Sequence, residues 1–236
     1  MMAKDELIKL AYEGENPERF KNTFIGVLHT YIGRDYDREM LAFVGCALMT
    51  GDEQKDKETL EGFLSTVRQR TPSVWEYIDL EFYMMDYAMD VRMLRLLMLL
   101  HEVILTTQTI EKSVKMSLRY NKSADDFFLK LFANAEVDDI FSFDENDPQT
   151  KIWTFLRLMV RNAPDLHQWR IMKLTDLLIP IDEKIARAAK SLGITSTDEL
   201  TKENQIRITN YFRFVFHEDP VKGYYALLAY SDNNKA

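Results

Sequence analysis

The sequence predicts an all-α protein, a two-lobed helical bundle, and three observations carry that expectation. Apolar residues recur at three- and four-residue spacing along most of the chain. No stretch sustains the period-two alternation of β-branched residues that a half-buried strand needs. None of the eight glycines falls in the 130 residues from Phe63 to Leu192, which limits hairpins and tight turns there.

The chain opens Met-Met-Ala-Lys-Asp-Glu and turns directly into an amphipathic helix, so this end does not read as a signal peptide. Pro17, after Asn16, stands where a proline opens a helix, with Phe20, Phe24, Val27, Leu28 and Tyr31 along one stretch. Asp37 should open the next helix, through Leu41, Val44, Cys46 and Leu48, and Asp56 a third, through Leu60, Phe63, Leu64 and Val67. Helical patterns continue over Val74 to Met84, Asp90 to Leu105, Ile110 to Tyr120 and Ala124 to Phe132. The apolar run near Met93 to Leu105 is broken by Arg95, His101 and Glu102, too short and charged for a bilayer, and reads as a central buried helix. Four more helices follow, over Pro148 to Val160, Asp182 to Leu192, Lys202 to Phe216 and Pro220 to Tyr230. The expected division is one compact unit with two lobes, one over residues 36–135 and the other over 1–35 plus 136–236. Twelve methionines and fourteen phenylalanines at helical spacing read as core filling, since Met adapts to irregular gaps between helices.

With 236 residues the chain can bury a sizeable core, and 46% hydrophobic with 29% charged residues matches a soluble globular protein. Cys46 is the one cysteine and sits in an apolar stretch, so no internal disulfide and no paired thiols for zinc or an iron–sulfur cluster are expected. A reducing, cytoplasmic location fits that composition. His29, His101, His167 and His217 are too scattered for a metal motif, and no P-loop, dinucleotide loop or serine elbow occurs. No cofactor, metal or membrane is therefore expected, and the oligomeric state is left open. The net charge of -8 opposes unspecialised nucleic-acid binding. The charge is uneven: Glu136 to Asp147 carries six acids and no base, whereas Lys151 to Lys190 carries eight bases against four acids.

The stretch Leu178-Ile-Pro-Ile-Asp182 is the most informative. Pro180 holds the approach extended and Asp182 falls at or near a helix N-cap, where a carboxylate accepts backbone N–H groups. Ile185, Ala188, Ala189 and Leu192 follow at helical spacing, and Gly193 supplies the stop. An ordinary capping aspartate has the same local signature.

Pro180, Asp182, Arg187 and Gly193 resemble the segment around the catalytic aspartate of helix-hairpin-helix Gly/Pro/Asp (HhH-GPD) DNA glycosylases. A longer resemblance runs through Asp37 to Gly51, Asp90-Val-Arg92, Phe155-Leu-Arg157-Leu-Met-Val-Arg161, Trp169, Leu178 to Asp182 and Glu218-Asp219-Pro220. Those segments are similar to a conserved bacterial and archaeal family of unknown function at the margin of that superfamily. Lys151, at the start of its helix and 31 residues before Asp182, is similar to the lysine of archaeal 8-oxoguanine DNA glycosylases.

The resemblance implies a base-excision glycosylase acting on damaged DNA, with the base flipped into a cleft between the lobes. Asp182 would stabilise the positive charge developing on the sugar. Lys151 would attack C1′ if AP-lyase activity accompanies base removal. Arg157, Arg161 and Arg187 would hold DNA, and Trp153 and Trp169 would stack on the flipped base. Arg157 and Arg161, one helical turn apart, could instead pair with acids such as Asp165 and Asp182, and both tryptophans could be core residues. Phe141 to Gln149 stands where the family's glycine hairpin docks a phosphate, but it contains three acids and no glycine. The alternative is a degenerate, noncatalytic helical module that binds nucleic acid or a protein partner. An enzyme acting on a free nucleotide or small metabolite fits the acidity without a motif behind it.

Overall fold

The computed structural model describes residues 2–31, 33–84, 91–120 and 123–234. The described residues form an all-α fold with no strand. In chain order the helices are α1 (Lys4–Gly14), α2 (Phe24–Thr30), α3 (Asp35–Ala47), α4 (Glu53–Arg70), α5 (Val74–Met84) and α6 (Val91–Thr107). They continue with α7 (Ile110–Ser117), α8 (Asp125–Phe132), α9 (Thr150–Val160), α10 (Glu183–Ser191), α11 (Lys202–Val215) and α12 (Lys222–Asn233). Asp90, expected to open α6, lies outside the described residues. Among the described residues no single helix is long and apolar enough to cross a membrane.

Helix starts shift where a side chain captures backbone N–H groups earlier or later than the apolar pattern suggests. The stretch opened by Pro17 is not one helix: a 3-10 turn spans Pro17–Phe20, and Thr23 then starts α2 by accepting the Ile25 N–H at 3.3 Å. Asp52 caps α4, accepting from Gln54 and Lys55 at 3.1 and 3.0 Å. Asp56 lies inside that helix and fastens the preceding loop through the Thr50 N–H at 2.7 Å and the Gly51 N–H at 3.2 Å. Asp37 is likewise inside α3, buried, and accepts the Trp75 N–H at 2.9 Å.

The chain divides into two compact units. The first contains residues 1–20, 142–167 and 173–236, hence α1 and α9 to α12. There α1 packs along α12, and Gly14 permits the close approach: a Cβ on it would lie 2.1 Å from the Tyr225 carbonyl oxygen. The second contains residues 21–141 and 168–172, hence α2 to α8. In it α3 is buried from Met40 through Ala47, Cys46 included, and Phe43 sits 5.5 Å from Phe132 and 5.7 Å from Phe141 between ring centroids. Along α6, Met93, Leu94, Leu96, Leu97, Leu100 and Ile104 are buried, as its apolar run implies.

These boundaries differ from the expected lobes of 36–135 and 1–35 plus 136–236 for packing reasons. Residues 21–35 join the second unit because α2 packs on α4 and α3, with the Phe24 ring against Gly45. Residues 136–141 join it because Val137 and Phe141 are buried, Phe141 in the Phe43 cluster.

Candidate active site

The run before Asp182 is extended and buried: Leu177, Ile179 and Ile181 have no exposed surface. An extended buried segment without a sheet partner must have its backbone groups satisfied by side chains. Two come from α11, where Thr209 Oγ1 accepts the Ile179 N–H at 3.0 Å and Gln205 Nε2 donates to the Ile179 carbonyl at 3.0 Å. The third comes from α9, where the Thr150 hydroxyl donates to the Ile181 carbonyl at 2.5 Å. Pro180 has no N–H to satisfy.

Asp182 is the N-cap of α10, with extended backbone, and its Oδ1 accepts the Ile185 N–H at 2.8 Å. The residue is exposed, and no cation among the described residues pairs with it. Oδ1 is thus fixed by the helix, and among the described residues Oδ2 makes no hydrogen bond. Behind it lies Tyr224 on α12, whose phenol is pushed upward by burial, opposed by Arg157 and raised further by the charge of Asp182.

Lys151 is half-buried and is the second residue of α9. The bond from Thr150 to Ile181 joins the residue before Lys151 to the residue before Asp182, so the lysine and the carboxylate each start one residue from a shared hydrogen bond. The start of α9 is further set by Gln149, whose φ of 51° is left-handed. That backbone costs a non-glycine residue about 1–2 kcal/mol, and two bonds hold it: the Gln149 N–H to Asp147 Oδ1 and Gln149 Nε2 to the Ser142 carbonyl, both 2.7 Å. Asp144 also caps its own loop, accepting the Asn146 N–H at 2.9 Å. Two of the acids in this segment therefore shape the turn that delivers Lys151.

Four residues expected to meet DNA are instead enclosed. Arg157 and Arg161 are 1% and 3% exposed, and Trp153 and Trp169 are 1% exposed each. Arg161 binds Asp219 Oδ2 through Nε at 2.9 Å and Nη2 at 2.6 Å, Asp165 through Nη1 at 3.1 Å, and Glu15 at 2.6 Å. Arg157 Nε lies 3.2 Å from Asp165 Oδ1, outside hydrogen-bond alignment, and its guanidinium sits 4.3 Å from the Tyr224 ring centroid. Burial works against the Arg157 charge, but Asp165 and the two tyrosines outweigh it and raise its pKa. The pairing is with Asp165, not Asp182, so these arginines hold the interior of the first unit rather than a phosphate. Trp153 packs in that interior, and Trp169 packs in the second unit, where its indole binds Glu39. Arg187 alone of the five is exposed, on α10, with Nη2 3.5 Å from Glu183 Oε2.

Sequence reasoning missed Thr150, Gln205, Thr209 and Tyr224. A signal existed for one pair: Gln205 and Thr209 are polar residues four apart on the buried face that includes Ile208 and Phe212, where polar side chains imply backbone to be satisfied. Tyr224 carries no such mark. Among the described residues no group of three His, Cys, Asp or Glu side chains is placed to hold a metal ion.

Comparison with curated proteins and with solved structures gave no match. The profile of a family described as "Protein of unknown function (DUF2400)" matches residues 25–232, a span that includes α3 to α11, Lys151 and Asp182. Because that match takes in well over half of the chain, the protein belongs to the DUF2400 family.

Proposed function

We propose that the protein is a DNA base-excision glycosylase acting on a damaged base turned out of the duplex, with Asp182 as the catalytic carboxylate and Lys151 as the nucleophile of an accompanying lyase step. The observation that carries the reading is the Thr150–Ile181 hydrogen bond, which brings the helix start bearing Lys151 beside the helix mouth bearing Asp182. The chemistry needs one fixed carboxylate and one amine near C1′. As the bond from C1′ to the base nitrogen breaks, the base leaves with the electron pair and the sugar gains positive charge, which Oδ2 of Asp182 stabilises. The neutral Lys151 amine bonds to C1′; ring opening then gives a Schiff base from which the strand is cleaved by elimination. Of the three arginines expected to hold DNA, Arg187 on α10 is the exposed one and would meet a phosphate.

Borohydride trapping on oligonucleotides carrying oxidised or abasic sites tests the assignment. A covalent adduct is expected with the wild type and lost in Lys151→Gln. An adduct that persists in Lys151→Gln moves the nucleophile to another lysine.

A second reading, a noncatalytic module that binds nucleic acid or a protein, is favoured by the enclosure of Arg157, Arg161, Trp153 and Trp169. It expects neither adduct nor base release from any lesion.

A further inference from the structure

Two buried carboxylates in the second unit grip the same short segment. Glu39 on α3 is 5% exposed and Glu111 on α7 is 7% exposed. Glu39 Oε1 accepts the Trp169 indole N–H at 2.6 Å. Glu111 Oε1 accepts two backbone N–H groups, those of Ile171 and of Met172, the latter at 3.2 Å. Together they fasten residues 168–172, a segment without helix or strand whose neighbours on both sides belong to the other unit.

The balance of charge is unusual. Glu39 Oε2 is buried with no hydrogen-bond partner. The charges bearing most on Glu39 are Glu111 from α7 and Asp35 from its own helix, both negative. The positive groups on neighbouring α6 are turned elsewhere: Arg92 pairs with Asp139, Arg95 with Glu136, and His101 faces Asp79 of α5 at 3.3 Å. Asp56 on α4 is engaged with Thr50 and Gly51, and Arg170 of the gripped segment is exposed. Two ionised carboxylates buried together without a cation repel one another and lose hydration.

We propose that Glu39 and Glu111 form a protonation-controlled latch, which holds residues 168–172 firmly while Glu39 is neutral and loosens when both carboxylates are charged. Burial, eased by the Trp169 and Ile110 N–H groups and reinforced by Glu111 and Asp35, raises the Glu39 pKa to about 7. The latched state therefore binds a proton more tightly than a state in which Glu39 meets water. Latching is strongest at acid pH, weakens from the ordinary glutamate range up to the raised value, and is level above it. This proposal does not depend on the glycosylase reading.

Hydrogen exchange of the Ile171 and Met172 amides in the full chain, followed from pH 5 to 8 and expressed as protection against intrinsic exchange, tests it. Protection should fall about tenfold per pH unit up to neutrality and then level off. Glu39→Gln keeps an acceptor for Trp169 without the charge, so its protection should be high and flat. Wild-type protection that does not change with pH, or the same slope in Glu39→Gln, overturns the latch. Should Glu39→Gln not fold, Glu111→Gln serves: it removes the repelling charge and keeps an acceptor, so the break must move to lower pH. A break that stays in place overturns the proposal equally.

Discussion

At the scale of single residues, the cap that Asp182 forms and the catalytic role proposed for it can be separated by mutation. Its carboxylate caps α10 through the Ile185 N–H, and replacing such a cap with Ala costs about 1 kcal/mol whereas Asn retains the bond. Thermal melts should therefore show Asp182→Ala lowered and Asp182→Asn close to wild type. The position was legible because capping is local: an acid after Pro180 and before an apolar helical stripe needs no knowledge of the rest of the chain. Arg157 and Arg161 were not legible in the same way. A one-turn spacing of arginines is the same in sequence whether the face meets solvent or, as here, Asp165, Asp219 and two tyrosines. The two tyrosines lie on α12, more than sixty residues further on.

At the scale of elements, most helices lay where apolar spacing put them, and the departures have local polar causes. Val74–Met84 matches its pattern end to end, while α4 begins at Glu53 because Asp52, not Asp56, captures the free N–H groups. The least legible element is the buried extended run at residues 177–181, which has no ladder and depends on side chains from two helices. Thr209→Val keeps the shape but removes the acceptor for the Ile179 N–H. An orphaned buried donor costs about 1–3 kcal/mol, so chemical denaturation should show a loss of that size. The exchange of the Ile179 amide should rise with it. If the run is the rigid mount for Asp182, base release should fall in this variant by more than the stability loss accounts for. An unchanged Ile179 amide would show that the cradle is not what holds it.

At the scale of the whole molecule, the first unit is organised around a buried ionic group in which Arg157 and Arg161 face Asp165, Asp219 and Glu15. Removing one partner of such a group strands the others in a poorly solvated site and costs about 3–5 kcal/mol. Arg161→Met should lower the unfolding free energy by that much, and an unchanged value would mean water reaches the cluster. The edges of the expected lobes differ from those of the two compact units because membership is set by packing partners such as Gly45 for Phe24, which composition does not reveal. The proposed reaction stands or falls with the carboxylate of Asp182. Single-turnover release of damaged bases from a panel of lesion-bearing duplexes at low salt, with wild type and Asp182→Asn compared at matched melting temperature, tests it most directly. Release from at least one lesion is expected of the wild type, and its abolition in Asp182→Asn. Release at the wild-type rate by Asp182→Asn, or no release and no binding by the wild type across the panel, would contradict it.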